Sequence, residues 1–103
     1  MALYAAGLLR GLGAEARIVE TKSHPIVSGG WITGKHHPTV TIYNHMDVQP
    51  AQEPQWKQQP FTFRSEGGIY RGRGATDDKG PALTALLAAK YAVEQGTPIN
   101  IRF

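Results

Sequence analysis

The sequence predicts an α/β fold: a mixed, mostly parallel sheet flanked by helices. Two observations lead to this prediction. Segments rich in β-branched and aromatic residues alternate with segments of helical periodicity. In addition, residues 39–43, 79–95 and 99–103 are predicted in order as strand, helix and strand, and such βαβ units almost always contain parallel strands. The 103 residues are enough for one small domain with a modest core.

The first predicted element is a helix over residues 4–12. Leu8, Leu9 and Leu12 fall on one side of such a helix. Gly13 follows directly, and glycine commonly ends helices because it tolerates the left-handed conformation found there. The N-terminal segment lacks the basic residues of a signal peptide, so we interpret it as part of this helix.

Three strands are predicted after this helix. Residues 14–20 alternate between side-chain types, and residues 25–31 form a weaker strand with glycines near its end. A turn is predicted at residues 34–38. Residues 39–43 are almost entirely β-branched or aromatic, which makes them the clearest strand of the chain.

A long irregular segment, residues 44–76, comes next, with only a short strand expected near residues 69–70. Loops longer than about 15 residues are usually functional in a compact domain. Trp56, Phe61 and Phe63 are expected to anchor this loop by packing. We therefore expect functional residues in this segment.

The second helix is predicted over residues 79–95. Pro81 fits its first turn, where the missing N–H has no helical partner, and Gly96 followed by Pro98 marks its end. Its apolar side chains leave little polar face, which predicts a largely buried helix. These side chains are Ala82, Leu83, Ala85, Leu86, Leu87, Ala88 and Ala89. Residues 99–103 then alternate as a final strand.

Composition and charge exclude several classes of function. The formal net charge is +3, yet the eleven basic residues are scattered, which argues against a nucleic-acid surface. No stretch reaches the roughly 18 apolar residues that a membrane helix needs. The chain has no cysteine, so disulfides and thiolate metal sites are excluded, and any metal must be bound by imidazole and carboxylate. The lack of cysteine also fits a cytoplasmic protein.

All three aspartates of the chain lie in two short segments. His45 and Asp47 follow the strand at residues 39–43, and Asp77 and Asp78 precede the second helix. Sites in such sheets form beyond the carboxyl ends of the strands, so both segments are expected at one edge. Because His45 and Asp47 are two residues apart, extended backbone would point both to one side. Either both bind a metal, or His45 binds it while Asp47 accepts the imidazole N–H.

Asp77 and Asp78 are adjacent, so their side chains normally diverge. One carboxylate can reach a metal and bridge two ions about 3.5–4 Å apart, while the other caps the helix or supports the site. Lys79 is expected to pack or pair near Asp77. Arg71 and Arg73 are interpreted as structural or charge-balancing residues rather than substrate-binding ones.

The order and spacing of these motifs resemble the co-catalytic zinc peptidases of metallopeptidase family 20. The matching segments are residues 43–51 (YNHMDVQPA), Trp56, residues 59–61 (QPF) and residues 69–81 (IYRGRGATDDKGP). The family includes aminoacylases, acetylornithine deacetylases, succinyl-diaminopimelate desuccinylases, glutamate carboxypeptidases and carnosine dipeptidases. The motifs look most like the dipeptidase branch.

This resemblance implies a role for each matching residue. His45 would bind one zinc ion, Asp47 would be the catalytic residue that orients His45, and Asp77 would bridge two zinc ions, with Mn²⁺ or Co²⁺ as alternatives. Asp78 and Lys79 would support the site, and the peptide bond between Asp77 and Asp78 would be cis. The substrates would be small peptides or N-acyl amino acids, and full-length members of this family are often homodimers.

Other parts of the family's site have no counterpart in this sequence. The family's general base and one zinc ligand are two adjacent glutamates, and no such pair is present. A further acid, a distant histidine and the smaller dimerisation and lid domain are also missing. Residues 1–103 are therefore predicted to be a partial catalytic domain, with weak or no metal binding and no hydrolysis on their own. Two alternatives remain open: an inactive fragment, and a binding module that uses the exposed edge of the strand at residues 99–103.

Overall fold

A computed structural model describes all 103 residues, which divide into two compact units. The first unit comprises Met1–Tyr43 and Thr84–Phe103, and the second comprises Asn44–Leu83. In chain order, the helices and strands are α1 (Ala2–Gly11), β1 (Glu15–Val19), β2 (Ile26–Trp31), β3 (Thr39–Thr41), β4 (Arg64–Glu66), β5 (Ile69–Arg71), α2 (Gly80–Glu94) and β6 (Asn100–Arg102). Neither helix has the length and apolar character needed to cross a membrane.

Four strands of the first unit form one mixed sheet in the order β1–β2–β6–β3. β3 and β6 are parallel, as expected for a strand–helix–strand unit, whereas β1–β2 and β2–β6 are antiparallel. The predicted α/β fold with a mixed sheet is thus confirmed. Only one of these three pairs is parallel, so within these residues the sheet is mixed but not mostly parallel as predicted. β1 and β2 are antiparallel because a short connection reverses the chain between them.

β6 lies inside this sheet, with β2 on one side and β3 on the other. The strand therefore has hydrogen-bonding neighbours along both of its edges. The prediction that residues 99–103 offer a free edge to a binding partner is wrong, because the two strands at the margins of the sheet are β1 and β3.

Both helices end where glycine predicts. Gly13 follows α1 with a φ of 85°, and its N–H donates to the carbonyl of Arg10 at 3.0 Å. The next N–H, that of Ala14, donates to the carbonyl of Leu9 at 3.0 Å, so the last carbonyls of the helix are satisfied. Gly96 repeats this arrangement after α2 with a φ of 70°. Both predicted helix ends are confirmed.

The apolar core of the first unit is small. Its centre consists of Leu9 from α1, Ala14 and Leu86 from α2. Partly buried side chains surround this centre; they are Leu8, Leu12, Ala16, Val27, Trp31 and Phe103. Burial of this kind contributes about 25 cal/mol for each Å² of apolar surface removed from water, so the core stabilises this unit.

The prediction that α2 is largely buried is wrong for one face of the helix. A single stripe of α2, formed by Ala82, Leu86 and Ala89, is buried. Leu87 and Tyr91 are 50% and 64% exposed. The apolar content of a helix reports how much surface it can bury, whereas actual burial depends on which elements are present to cover it.

Asn100 is the buried polar residue of the first unit, 5% exposed. Its Oδ1 accepts the N–H groups of Thr33 and Gly34 at 2.8 and 3.1 Å. Its Nδ2 donates to the carbonyls of Gly34 and His37 at 2.9 and 3.1 Å. A buried amide with partners on both its oxygen and its nitrogen is well accommodated. The side chain thus holds the connection between β2 and β3 beside β6.

The second unit contains the antiparallel hairpin of β4 and β5 and the irregular segment that precedes it. Gly67 and Gly68 form the hairpin turn with φ of 58° and 75°, a conformation typical of tight hairpins. Phe63 packs on the Tyr70 ring of β5 with centroids 5.6 Å apart, in agreement with the predicted packing role, although Phe61 and Phe63 are 65% and 64% exposed and neither is buried. Polar contacts of Glu53 with Trp56 and Arg73 also hold the loop.

Candidate metal centre

The turn that carries Asp77 begins at Gly74. This glycine is buried and has a φ of 87°, and its carbonyl accepts the N–H of Lys79 at 3.1 Å. Residues Ala75–Lys79 form one wide, π-type helical turn. Only glycine fits at the start of this turn, because a Cβ there would lie 2.5 Å from Val48 Cγ1.

Asp77 itself departs from helical geometry, with φ of −125° and ψ of 94°. The peptide bond between Asp77 and Asp78 is cis, as the family resemblance predicted. The two neighbouring carboxylates contact different parts of His45: Asp77 lies at the imidazole Nε2 and Asp78 at the backbone N–H. The side chain of Asp77 is 76% exposed and faces His45.

His45 lies between two aspartates. Its Nε2 is 3.0 Å from Asp77 Oδ1. Its Nδ1 is 3.2 Å from Asp47 Oδ1 and 3.2 Å from the Asp47 backbone carbonyl. A neutral imidazole has one N–H, and the two Asp47 acceptors favour that proton on Nδ1. In the imidazolium form both nitrogens donate, so the contact between Nε2 and Asp77 is a hydrogen bond from Nε2–H. In the neutral form with the proton on Nδ1, the lone pair of Nε2 is available to a metal ion shared with Asp77.

The ionisation of His45 reflects these neighbours. Partial desolvation lowers the pKa of His45, but three favourable interactions outweigh it: the hydrogen bond to the Asp47 carbonyl, the hydrogen bond to Asp77 and the negative charges of both carboxylates. The pKa of His45 is therefore raised above its ordinary value.

Asp78 faces the chain segment that carries His45. Its Oδ2 accepts the Nδ2–H of Asn44 at 2.8 Å and the backbone N–H of His45 at 3.2 Å. These two hydrogen bonds, together with the charge of the imidazole, lower the pKa of Asp78 despite partial desolvation. The carboxylate of Asp78 thus holds the backbone beside His45, whereas the carboxylate of Asp77 contacts the His45 imidazole.

The donor set fits zinc chemically but is small. Imidazole nitrogen and carboxylate oxygen both bind zinc at about 2.0–2.2 Å. Two ligands of one tetrahedral ion would therefore be separated by about 3.4 Å, close to the 3.0 Å between His45 Nε2 and Asp77 Oδ1. No group of three or more histidine, cysteine or acidic side chains is arranged to hold a metal ion. The chain therefore brings together two candidate zinc ligands, His45 and Asp77.

Two sets of contacts in the second unit were not predicted from sequence. Asn44 was missed, although its position beside His45 was a signal that it could contact the site. The contacts of Glu53 were also missed: it accepts hydrogen bonds from Trp56 and Arg73. This confirms that Trp56 anchors the loop and that Arg73 is charge-balancing.

Lys79 was expected to pack or pair near Asp77. Its Nζ lies over Gly74, at 2.8 Å from where a Cβ of that residue would stand. The packing alternative is therefore the one observed, and the ammonium group and Val48 together fill the space above Gly74.

The fold is that of a metallopeptidase catalytic domain. An M20 family metallo-carboxypeptidase from Sulfolobus solfataricus superposes with a TM-score of 0.87 and 32% identity, over 98% of this chain and 24% of that structure. Human carnosine dipeptidase 1 superposes with a TM-score of 0.79 and 33% identity, over 100% of this chain and 24% of that one. The model of peptidase family M20/M25/M40 matches residues 41–103. The chain belongs to this family.

The curated relatives agree with the dipeptidase branch. A Beta-Ala-His dipeptidase of Mus musculus is 37% identical over 117 aligned positions, which cover all of this chain and 24% of the relative. A Cys-Gly metallodipeptidase of Schizosaccharomyces pombe is 44% identical over 81 positions, covering 75% of this chain and 17% of the relative. The chain thus spans about a quarter or less of the length of these relatives.

Proposed function

We propose that this chain supplies one end of the two-zinc centre of a dipeptide-hydrolysing enzyme. His45 is the terminal ligand through Nε2, Asp77 is the bridging carboxylate, and Asp47 is the residue that orients His45. The observation that supports this most is the 3.0 Å approach of His45 Nε2 to Asp77 Oδ1, with Nδ1 turned toward Asp47. Two segments 32 residues apart in sequence meet there with complementary ligand atoms.

Asp78 and Lys79 support this centre. Asp78 fixes the backbone at His45 through the hydrogen bonds described above. Lys79 closes the turn that presents Asp77, through its backbone N–H and its packed side chain. Neither residue is proposed to bind the metal.

Bound zinc lowers the pKa of a water ligand toward about 7 and polarises the carbonyl that is cleaved. The contribution of this chain is to hold the ligand atoms. Asp47 keeps the His45 proton on Nδ1, so that Nε2 presents its lone pair, and the exposed Asp77 carboxylate provides negative charge. A general base is required to take the water proton, and the family's adjacent glutamates are lacking in this sequence. The 103 residues alone are therefore expected to be inactive.

The substrate class is proposed from the relatives. The names of the similar proteins state that they hydrolyse Beta-Ala-His or Cys-Gly, so small dipeptides are the proposed substrates, with N-acyl amino acids as the broader class. A cytoplasmic location and a homodimeric whole enzyme remain predictions.

Zinc titration followed by NMR tests this proposal. We expect backbone signals of His45 and Asp77 to shift with added Zn²⁺ and to saturate only at high concentration, because two ligands make a weak site. The His45→Ala variant should abolish these shifts. The exposed His36 provides the matched control, since His36→Ala should leave them unchanged. Zinc shifts that persist in His45→Ala, or that never include Asp77, would contradict the proposed ligands.

A hydrolysis assay tests the predicted inactivity of the chain on its own. Zinc-loaded protein should release no histidine from Beta-Ala-His above the level of zinc in buffer. Hydrolysis that disappears in His45→Ala would show that these residues contain a general base, contrary to the proposal.

A further inference from the structure

We propose that Arg73 is a positioning residue. Together with Glu53 and Trp56 it forms a three-residue contact, which we call the Arg73 clamp, and this clamp holds the turn that carries Asp77 beside the loop that carries His45. The positioning of these two chain segments by the clamp does not depend on whether zinc binds. Its importance for metal binding rests on the proposed function.

The three side chains of the Arg73 clamp each contact the other two. An Nη of Arg73 donates to Glu53 Oε1 at 2.5 Å, and the indole Nε1–H of Trp56 donates to Glu53 Oε2 at 3.1 Å. The guanidinium carbon of Arg73 lies 5.1 Å from the centre of the Trp56 ring, a cation–π distance. The planar guanidinium can pair with a carboxylate and stack on a ring at once, which lysine cannot reproduce.

The backbone of Arg73 makes a second attachment to the loop. Its N–H donates to the carbonyl of Pro60 at 2.6 Å. The side chain and the backbone of one residue therefore bind two separate points of a segment that has no regular secondary structure of its own.

Gly74 connects the clamp to the metal ligands. It directly follows Arg73, and its carbonyl closes the turn that contains Asp77. The Val48 side chain, which directly follows Asp47 in the chain, lies against the same glycine. A displacement of Arg73 would therefore be transmitted to Asp77 within one turn, and to the His45 loop through Val48.

A role in holding a substrate carboxylate fits Arg73 less well. The side chain is only 22% exposed, and its guanidinium is already paired with Glu53. Since half-exposed ion pairs add little to global stability, we also do not expect the clamp to act mainly on folding. We expect the clamp to act on the position of the Asp77 turn relative to the His45 loop.

The test compares Arg73→Gln with Arg64→Gln in metal-free protein by NMR. Arg64 is a half-exposed arginine of the β4–β5 hairpin that pairs with Glu66 at 3.9 Å, so it matches the change in charge. In Arg73→Gln, we expect the Trp56 indole signal and the backbone signals of His45 and Asp77 to shift. Arg64→Gln should leave all of them in place.

Two outcomes would overturn the inference. If the Trp56 indole signal does not move in Arg73→Gln, the clamp does not exist in solution. If it moves while the signals of His45 and Asp77 stay unchanged, the clamp exists but positions nothing. Should Arg73→Gln not fold, Glu53→Gln removes the same contact from the other partner and is judged by the same signals.

A zinc titration of the same variants links the clamp to the metal site. Substitution of a residue that orients metal ligands typically weakens metal affinity 10–100-fold. We expect Arg73→Gln to weaken His45-dependent zinc binding by about tenfold. Equal affinity in both arginine variants would overturn the functional part. If the unaltered protein shows no His45-dependent binding, the proposed function fails, while the metal-free spectra still decide whether Arg73 positions Asp77.

Discussion

The two units of this chain are stabilised by different kinds of contact. The first unit has a sheet ladder and an apolar core centred on Leu9 and Leu86. The second has almost no buried side chains: in Asn44–Leu83 only Gly74 and Ala82 are buried. Its order depends on hydrogen bonds and ion pairs between polar groups. The unit that carries the candidate ligands is therefore the one whose structure responds to charge and pH.

The largest effect should come from emptying the core of the first unit. Leu86→Ala removes a side chain that is 6% exposed, and such truncations cost about 2–5 kcal/mol. Leu87→Ala, one position along the same helix but 50% exposed, should cost clearly less. Urea unfolding of both variants measures the difference. Equal losses of unfolding free energy in the two variants would show that Leu86 is not part of the core.

A polar contact of the first unit should matter less than its core but still be measurable. Asn100→Ala leaves the N–H groups of Thr33 and Gly34 without their acceptor, which costs about 1–3 kcal/mol when such groups are buried. Gln95→Ala, an exposed position, serves as the control. If Asn100→Ala loses no more unfolding free energy than the Gln95→Ala control, water hydrogen-bonds to the Thr33 and Gly34 N–H groups as well as the Asn100 amide does.

Acid should loosen the second unit before the first. The pKa of Glu53 is lowered by its own backbone N–H and by the hydrogen bonds from Arg73 and Trp56. Because the folded pKa is below the ordinary 4.5, the stabilisation is complete above pH 4.5 and is lost as pH falls through the lower, folded value. The Trp56 indole NMR signal should therefore shift below pH 4.5. The indole of Trp31, which packs on Phe103, is the internal reference, and simultaneous shifts of both would indicate global unfolding instead.

The smallest effect is expected for a surface ion pair of the first unit. Lys90 and Glu94 are paired one turn apart on α2, and such pairs contribute about 0.3–0.5 kcal/mol. Glu94→Gln should change the unfolding midpoint only slightly, and less in high salt. A loss above about 1 kcal/mol, well beyond the usual surface range, would show that charge matters in the first unit too.

Local signals in the sequence predicted the parts of the structure that depend on local chemistry. The glycines after both helices and the strand–helix–strand order were confirmed. The approach of His45 to Asp77 agrees with the expectation that these two segments come together. The specific roles of Asp47 and Asp77 came from the resemblance, since spacing alone left several ligand sets open.

The remaining features depend on partners far away in sequence. Asn44 and Asn100 are amides whose roles are set by residues more than 30 positions away, and an isolated amide gives no sequence signal of that kind. The exposed face of α2 was missed for the same reason, since periodicity does not reveal whether another element packs against Leu87. The antiparallel pairing of β2 with β6 likewise joins distant segments.

The inner position of β6 has a consequence for how the chain acquires its structure during synthesis. β3 has no hydrogen-bonded neighbour other than β6, and β2 has only β1 until β6 joins it. A growing chain that has not yet reached Asn100 therefore carries β3 as an unpaired strand, a state prone to pairing with other chains. Contacts between such distant segments form slowly because long loops must close first. Pairing with β6 gives β3 its hydrogen-bonded neighbour along one edge.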